Sequence, residues 1–156
     1  MNKDVMITIR STQNVDGSET EGAELITAGT YNYGKDGIRF SYMESEITGL
    51  DGTKTVFHIK PDEVVLSRRG SVNSQMVFHL GESSNFLYST EYGMLQMGLD
   101  TRRLECALDE HGGDMEIEYD LDFERSFLSR NTFKINVREK NLRGFLPPDG
   151  GRKTRS

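Results

Sequence analysis

Tryptophan is absent from this chain, cysteine occurs once, at Cys106, and only three of its 156 residues are proline. A single cysteine excludes an intramolecular disulfide, so the chain must be held by its own core, and a reducing cytoplasm is the expected compartment. No apolar run approaches the roughly 20 residues that a membrane-spanning helix needs. The opening Met1-Asn2-Lys3-Asp4-Val5-Met6-Ile7-Thr8 is interrupted too often by polar groups to read as a signal peptide. A stripe of apolar residues at helical spacing is also missing throughout. Charge is unbalanced toward acid, at −6 overall, which disfavours phosphate-rich partners.

What the chain does have is glycine, 16 residues of it, together with 8 Phe and 6 Tyr. Those aromatics are enough to argue against a disordered chain. The pairs Asp16-Gly17, Asp36-Gly37, Asp51-Gly52 and Gly112-Gly113 read as turns, since glycine supplies the positive φ that tight turns require. Between them apolar and polar residues alternate, the signature of strands with one buried face. Val5, Ile7 and Ile9 share a face, as do Ile38, Phe40 and Tyr42, Phe57 and Ile59, and Met76, Phe78 and Leu80. Met115, Ile117, Tyr119, Leu121 and Phe123 alternate with five carboxylates, Glu116, Glu118, Asp120, Asp122 and Glu124. Phe133, Ile135 and Val137 repeat the pattern with Lys134 and Arg138 outside. An acidic wet face beside a basic one predicts an antiparallel hairpin.

Nine or ten short strands at roughly this spacing predict an all-β antiparallel sandwich or barrel, the barrel being favoured because closure removes exposed edges. Apolar parity flips between Leu95, Met97, Leu99 and Leu104, Cys106, Leu108, which places a bulge at Asp100-Thr101-Arg102. On that parity Cys106 is expected to be an inert core thiol. One domain is expected over residues 1–140. From 138 to 156 there are six cations and two anions, a charge of +4 that leaves −10 for the rest. Residues 141–156 are therefore expected to form a basic, disordered tail.

Dedicated chemistry is not visible. Gly49-Leu50-Asp51-Gly52-Thr53-Lys54-Thr55 has the wrong spacing for a phosphate loop and reads as a turn before a strand. His58, His79 and His111 are not at ligand spacing and no cysteine pair accompanies them, so no metal or cofactor is expected. No nucleophile elbow occurs, and no catalytic residue is assigned. Nucleic acid is disfavoured by the acidic body, with only the basic tail attractive to it.

Two stretches depart from a plain barrel: Arg68-Arg69-Gly70-Ser71-Val72-Asn73-Ser74-Gln75-Met76 and Tyr88-Ser89-Thr90-Glu91-Tyr92-Gly93. The inward parity of Ile38, Phe40 and Tyr42 continues into Glu44 and Glu46, and an inward carboxylate needs a partner. Arg68 or Arg69 would supply it. The expectation is that Arg69 sits beside Glu44 or Glu46 at one barrel end, where Asn73 and Gln75 converge. These stretches, with Ser45-Glu46-Ile47-Thr48-Gly49-Leu50-Asp51-Gly52-Thr53-Lys54-Thr55 and Glu116-Ile117-Glu118-Tyr119-Asp120-Leu121, resemble the YwiB-like family in order and spacing over residues 4 to 140. The motif Val72-Asn73-Ser74-Gln75-Met76 is the specific part. The resemblance implies a bacterial cytosolic protein with a calycin-like, lipocalin-shaped, up-and-down antiparallel barrel. The fold expected on both grounds is an all-β antiparallel up-and-down β-barrel of eight to ten strands. The resemblance brings no catalytic residues.

The leading expectation is a non-catalytic binder of a small apolar or anionic ligand inside the barrel. Tyr42, Tyr88 and Tyr92 would line the site, Arg69 would meet an anionic group near Glu44, and Asn73 and Gln75 would orient the ligand. The alternative is a barrel filled by Phe40, Phe57, Phe78, Phe86, Phe123 and Phe133. Such a barrel would act through its surface as an interaction or homodimer module.

Overall fold

A computed structural model describes residues 2–15 and 18–140. Ten antiparallel strands follow one another: β1 (Asn2–Val15), β2 (Ser18–Gly34), β3 (Gly37–Met43), β4 (Lys54–Ile59), β5 (Val64–Arg69), β6 (Val72–Phe78), β7 (Ser83–Thr90), β8 (Gly93–Asp109), β9 (Gly112–Phe123) and β10 (Ser126–Glu139). Each pairs with the next in sequence, and β1 pairs with β10, so the meander closes into a barrel. The strand count is the upper end of the range expected from sequence. A single 3-10 turn, Glu46–Thr48, interrupts the β3–β4 connection, and the described residues contain no α-helix. The Asp16-Gly17 turn and the 141–156 tail lie outside the described residues.

Alternation places the inward residues in rows across neighbouring strands. One row is Ile38, Ile59, Val64 and Phe78, and the next is Phe40, Phe57, Leu66 and Met76. Aromatic rings run across the lumen in a continuous chain. Tyr31 stacks on Phe40 at 6.4 Å and Phe40 on Phe57 at 4.9 Å. Phe57 meets Phe133 edge-on at 6.2 Å, and Tyr119 bridges Phe133 and Phe78 at 5.8 and 5.0 Å. Ring pairs at these separations add to the burial that drives the core together.

The expected acidic–basic hairpin is β9–β10. Glu116 lies opposite Lys134 and Asp120 opposite Arg130, whose Nε and Nη2 donate to the carboxylate at 2.7 and 3.1 Å. The tight turn before β9 is Glu110-His111 rather than Gly112-Gly113. Those glycines open β9 where a Cβ would stand 2.3 Å from the Val137 carbonyl oxygen and 2.0 Å from that of Ala107.

The β8 register shifts between Thr101 and Arg103, at the bulge the parity flip predicts. Cys106 corrects the sequence reading: it is exposed. Beyond Thr101, β8 has β9 on one side and, among the described residues, no strand on the other. The inward parity of Leu104, Cys106 and Leu108 therefore faces an incompletely walled end.

Candidate functional site: the polar mouth of the barrel

One inward row is polar. Tyr42 lies opposite Thr55, Thr55 opposite Arg68, and Arg68 opposite Ser74, so four strands carry it one residue pair above the Phe40–Met76 row. Glu44 continues β3 at this end and is buried. Its backbone N–H donates to Thr53 O at 2.8 Å. Thr55 Oγ1 donates to Glu44 Oε2 at 2.5 Å, and Thr48 Oγ1 donates to Oε1 at 2.8 Å. The 46–48 turn is thereby tied to the carboxylate. Ser45 caps it by accepting from Ile47 N–H, and Gly49 closes it at φ +78°.

Arg68 is the cation facing Glu44, with Nε 3.9 Å from Oε2 and a side chain only 14% exposed. Its guanidinium carbon lies 6.0 Å from the Phe133 ring centre. Arg68 Nε and Ser74 Oγ are both buried without a hydrogen-bond partner. Burial, reinforced by the Glu44 carboxylate, pushes the Tyr42 phenol well above its ordinary range. Burial likewise moves Tyr119 up to about 12, opposed by the positive charge of Arg68. Above this floor is a cleft of about 310 Å³, walled by Ile9, Leu25 and Phe133 and roofed by Ile47, Thr48 and Leu50.

The seven residues expected to share a site are not brought together. Tyr42 and Glu44 line the mouth, and the cation meeting them is Arg68. Arg69 does not, because adjacent strand residues point to opposite faces, and it is exposed on the outer wall beside Lys54. Asn73 and Gln75 also point outward. Asn73 clamps the β5–β6 turn, accepting from Gly70 N–H at 3.3 Å and donating to Gly70 O at 3.1 Å. That turn needs glycine: Gly70 has φ +148°, and a Cβ there would stand 2.3 Å from Gly52 O. Arg69, Asn73 and Gln75 instead line an outer groove of about 590 Å³ between β6 and β7, strands joined by only two residue pairs. Tyr88 is half-buried against the core, whereas Tyr92 is 91% exposed at the β7–β8 turn. The polar residues that sequence reasoning missed are Thr48, Thr55 and Ser74. The last two share parity with Phe57 and Met76, a signal that alternation alone could have revealed. Among the described residues no cluster of His, Cys, Asp and Glu is arranged to hold a metal ion, and no helix is long and apolar enough to cross a membrane.

An uncharacterised β-barrel protein, YwiB of Bacillus subtilis (strain 168), is 29% identical over 117 residues, 75% of this chain and 80% of that protein. The crystal structure of YwiB from B. subtilis superimposes with a TM-score of 0.79 at 24% identity, covering 90% of this chain and 94% of that one, and shows the same barrel fold. The family model described as a domain of unknown function, DUF1934, matches residues 7–135, and with most of its length so matched the chain belongs to the DUF1934 family.

Proposed function

We propose that this protein binds a small molecule at the mouth of the barrel, in the cleft between the 46–48 turn and the Arg68–Glu44 pair. The observation that carries the reading is the composition of that cleft. Apolar walls of Ile9, Leu25 and Phe133 stand over a floor holding one largely buried cation and one buried carboxylate. Sites for small molecules combine a mostly apolar lining with a few fixed polar groups. The aromatic chain from Tyr31 to Phe78 occupies the lumen, which confines a ligand to the mouth. A cleft of about 310 Å³ suits a molecule with an apolar body and one anionic or hydrogen-bond-accepting group. The protein would act by binding, in the cytoplasm, without chemistry of its own.

The probe that tests this is 8-anilinonaphthalene-1-sulfonate, an apolar ring system bearing one anion. Saturable binding of one equivalent is expected, weakened at least tenfold by Ile47→Arg in the roof and unchanged by Leu80→Arg, an exposed apolar position at the opposite end. Binding that is absent, or that responds to Leu80→Arg and not to Ile47→Arg, would remove the mouth as a site. The filled lumen acting through its outer surface would then be the better reading. Native mass spectrometry of protein purified from its own host should show retained small-molecule mass.

A further inference from the structure

Residues 103–109 of β8 pair with β9 and, among the described residues, with no other strand, and Arg102 is the bulged residue that precedes them. Strand β7 accompanies β8 only from Gly93 to Asp100. The loop after β6 then closes the corner: Gly81 N donates to Thr101 O, and Thr101 N to Glu82 O, both at 3.3 Å. From Arg102 onward one side of the strand is an open edge. Arg102, Arg103, Glu105, Cys106, Ala107 and Asp109 are all exposed, on both faces. An edge this long is a ready template for another strand, and natural proteins cover such edges or blunt them.

The charge order along the edge identifies the strand that fits. Two cations, Arg102 and Arg103, stand at one end and two anions, Asp109 and Glu110, at the other. An antiparallel copy of the same segment reverses that order, so the segment complements itself. A two-fold axis normal to the sheet requires facing residues of equal parity, because directly opposed side chains share a face. With the axis at Cys106, Arg103 faces Asp109 of the second copy and Leu104 faces its Leu108, while Arg102 in the bulge lies near the turn that carries the second copy's Glu110. An axis at Glu105 would oppose two glutamates, and one at Ala107 would set Glu105 against Asp109. An axis at Leu104 would drive Leu108 into the corner occupied by the 79–82 loop.

We propose that two copies of this chain associate edge to edge through β8, with Cys106 on the two-fold axis, into one continuous sheet across the dimer. The ion pairs to β9 within the chain, Arg102 with Asp120 at 3.4 Å and Arg103 with Glu116 at 3.2 Å, hold both guanidinium groups against this sheet. Isologous pairing of this kind uses the same surface twice and closes on itself. The proposal is independent of ligand binding at the mouth, which lies at the other end of the strands.

Sedimentation equilibrium of the full chain is expected to show a species of twice the 17.7 kDa chain mass, with a Kd on the order of 10 µM as suits a small interface. Arg103→Glu should weaken association at least tenfold, and Arg103→Glu with Asp109→Arg should restore it. The thiol serves as reporter of the register. Facing Cα atoms in an antiparallel pair are about 4.5–5.5 Å apart, within the roughly 4.4–6.8 Å that a disulfide spans. Diamide should therefore link Cys106 to Cys106, taking up the two electrons and two protons that the thiols release. Partial burial pushes the thiol pKa up, so the reaction is run at mildly alkaline pH. Cys106→Ala with Tyr92→Cys moves the thiol to an exposed turn at the far end and should not cross-link. A monomer at concentrations up to about 0.5 mM, far above the Kd expected of such an interface, overturns the proposal. So does a dimer indifferent to Arg103→Glu, or equal cross-linking through position 92.

Discussion

Replacing Arg68 with alanine leaves the buried Glu44 carboxylate facing Tyr42, Thr48 and Thr55 without the cation beside it. Stranding one member of a buried pair costs about 3–5 kcal/mol. Arg69→Ala, on the exposed outer wall, is expected to stay within about 0.5 kcal/mol of wild type. Urea unfolding of the two variants measures the difference, and equal midpoints would mean the pair contributes nothing. A second residue-scale consequence concerns the six tyrosines. Tyr31 and Tyr42 are pushed above the ordinary phenol range by burial, and Tyr119 is raised to about 12. A folded-state pKa above the unfolded value near 10 leaves stability intact below pH 10. Above it, the unfolded chain releases protons that the folded chain retains. Each such tyrosine then lowers stability by about 1.4 kcal/mol per pH unit until its folded pKa is passed. The part of the phenolate absorbance that belongs to Tyr31, Tyr42 and Tyr119 should therefore appear only with the cooperative loss of the β circular-dichroism signal. Six tyrosines titrating together near pH 10 with the fold intact would contradict this.

At the scale of elements, the β9–β10 hairpin is the part of the barrel whose wet face is organised by charge. Asp120 accepts two hydrogen bonds from Arg130 and lies 3.4 Å from Arg102, so it joins β8, β9 and β10. Asp120→Ala should cost about 1–2 kcal/mol at low salt, since a bidentate pair exceeds an ordinary surface bridge. At high salt the loss should shrink, because the two arginines are partly solvated. Thermal midpoints at the two salt concentrations give the test, and a loss independent of salt would assign the effect to packing instead. This hairpin was legible from its alternating carboxylates alone, and the β8 bulge from a parity flip. The inward arginine was legible by the same rule, because Arg68 shares parity with Val64 and Leu66 whereas Arg69 falls with Val65 and Ser67.

For the whole molecule, closure is the decisive event, because β1 and β10 pair Val5 with Glu139 across nearly the full described chain. Bringing such distant segments together carries the entropic cost of a long loop before the contacts form. Refolding should therefore take milliseconds to seconds, as in other all-β topologies rich in non-local pairs. Stopped-flow tyrosine fluorescence checks this, and submillisecond refolding would show that closure is not limiting. Truncating β10 should abolish the cooperative transition, since it leaves β1 and β9 with open edges and Phe133 missing from the ring chain.

By itself the sequence determined the strand class, the hairpin connectivity and most of the inward face, because the period-2 alternation of apolar residues is a local property written residue by residue. It also determined that one barrel end would hold charge next to apolar parity. Only the tertiary structure decided that a chain of contacting rings crosses the lumen, that Arg68 comes within 3.9 Å of Glu44, and that Thr48 reaches the same carboxylate. It also decided that Cys106 lies on an edge that no described strand covers. Each of these depends on register and on how far each strand extends beyond its neighbour. Those quantities are fixed by packing between segments distant in sequence, which no local pattern records.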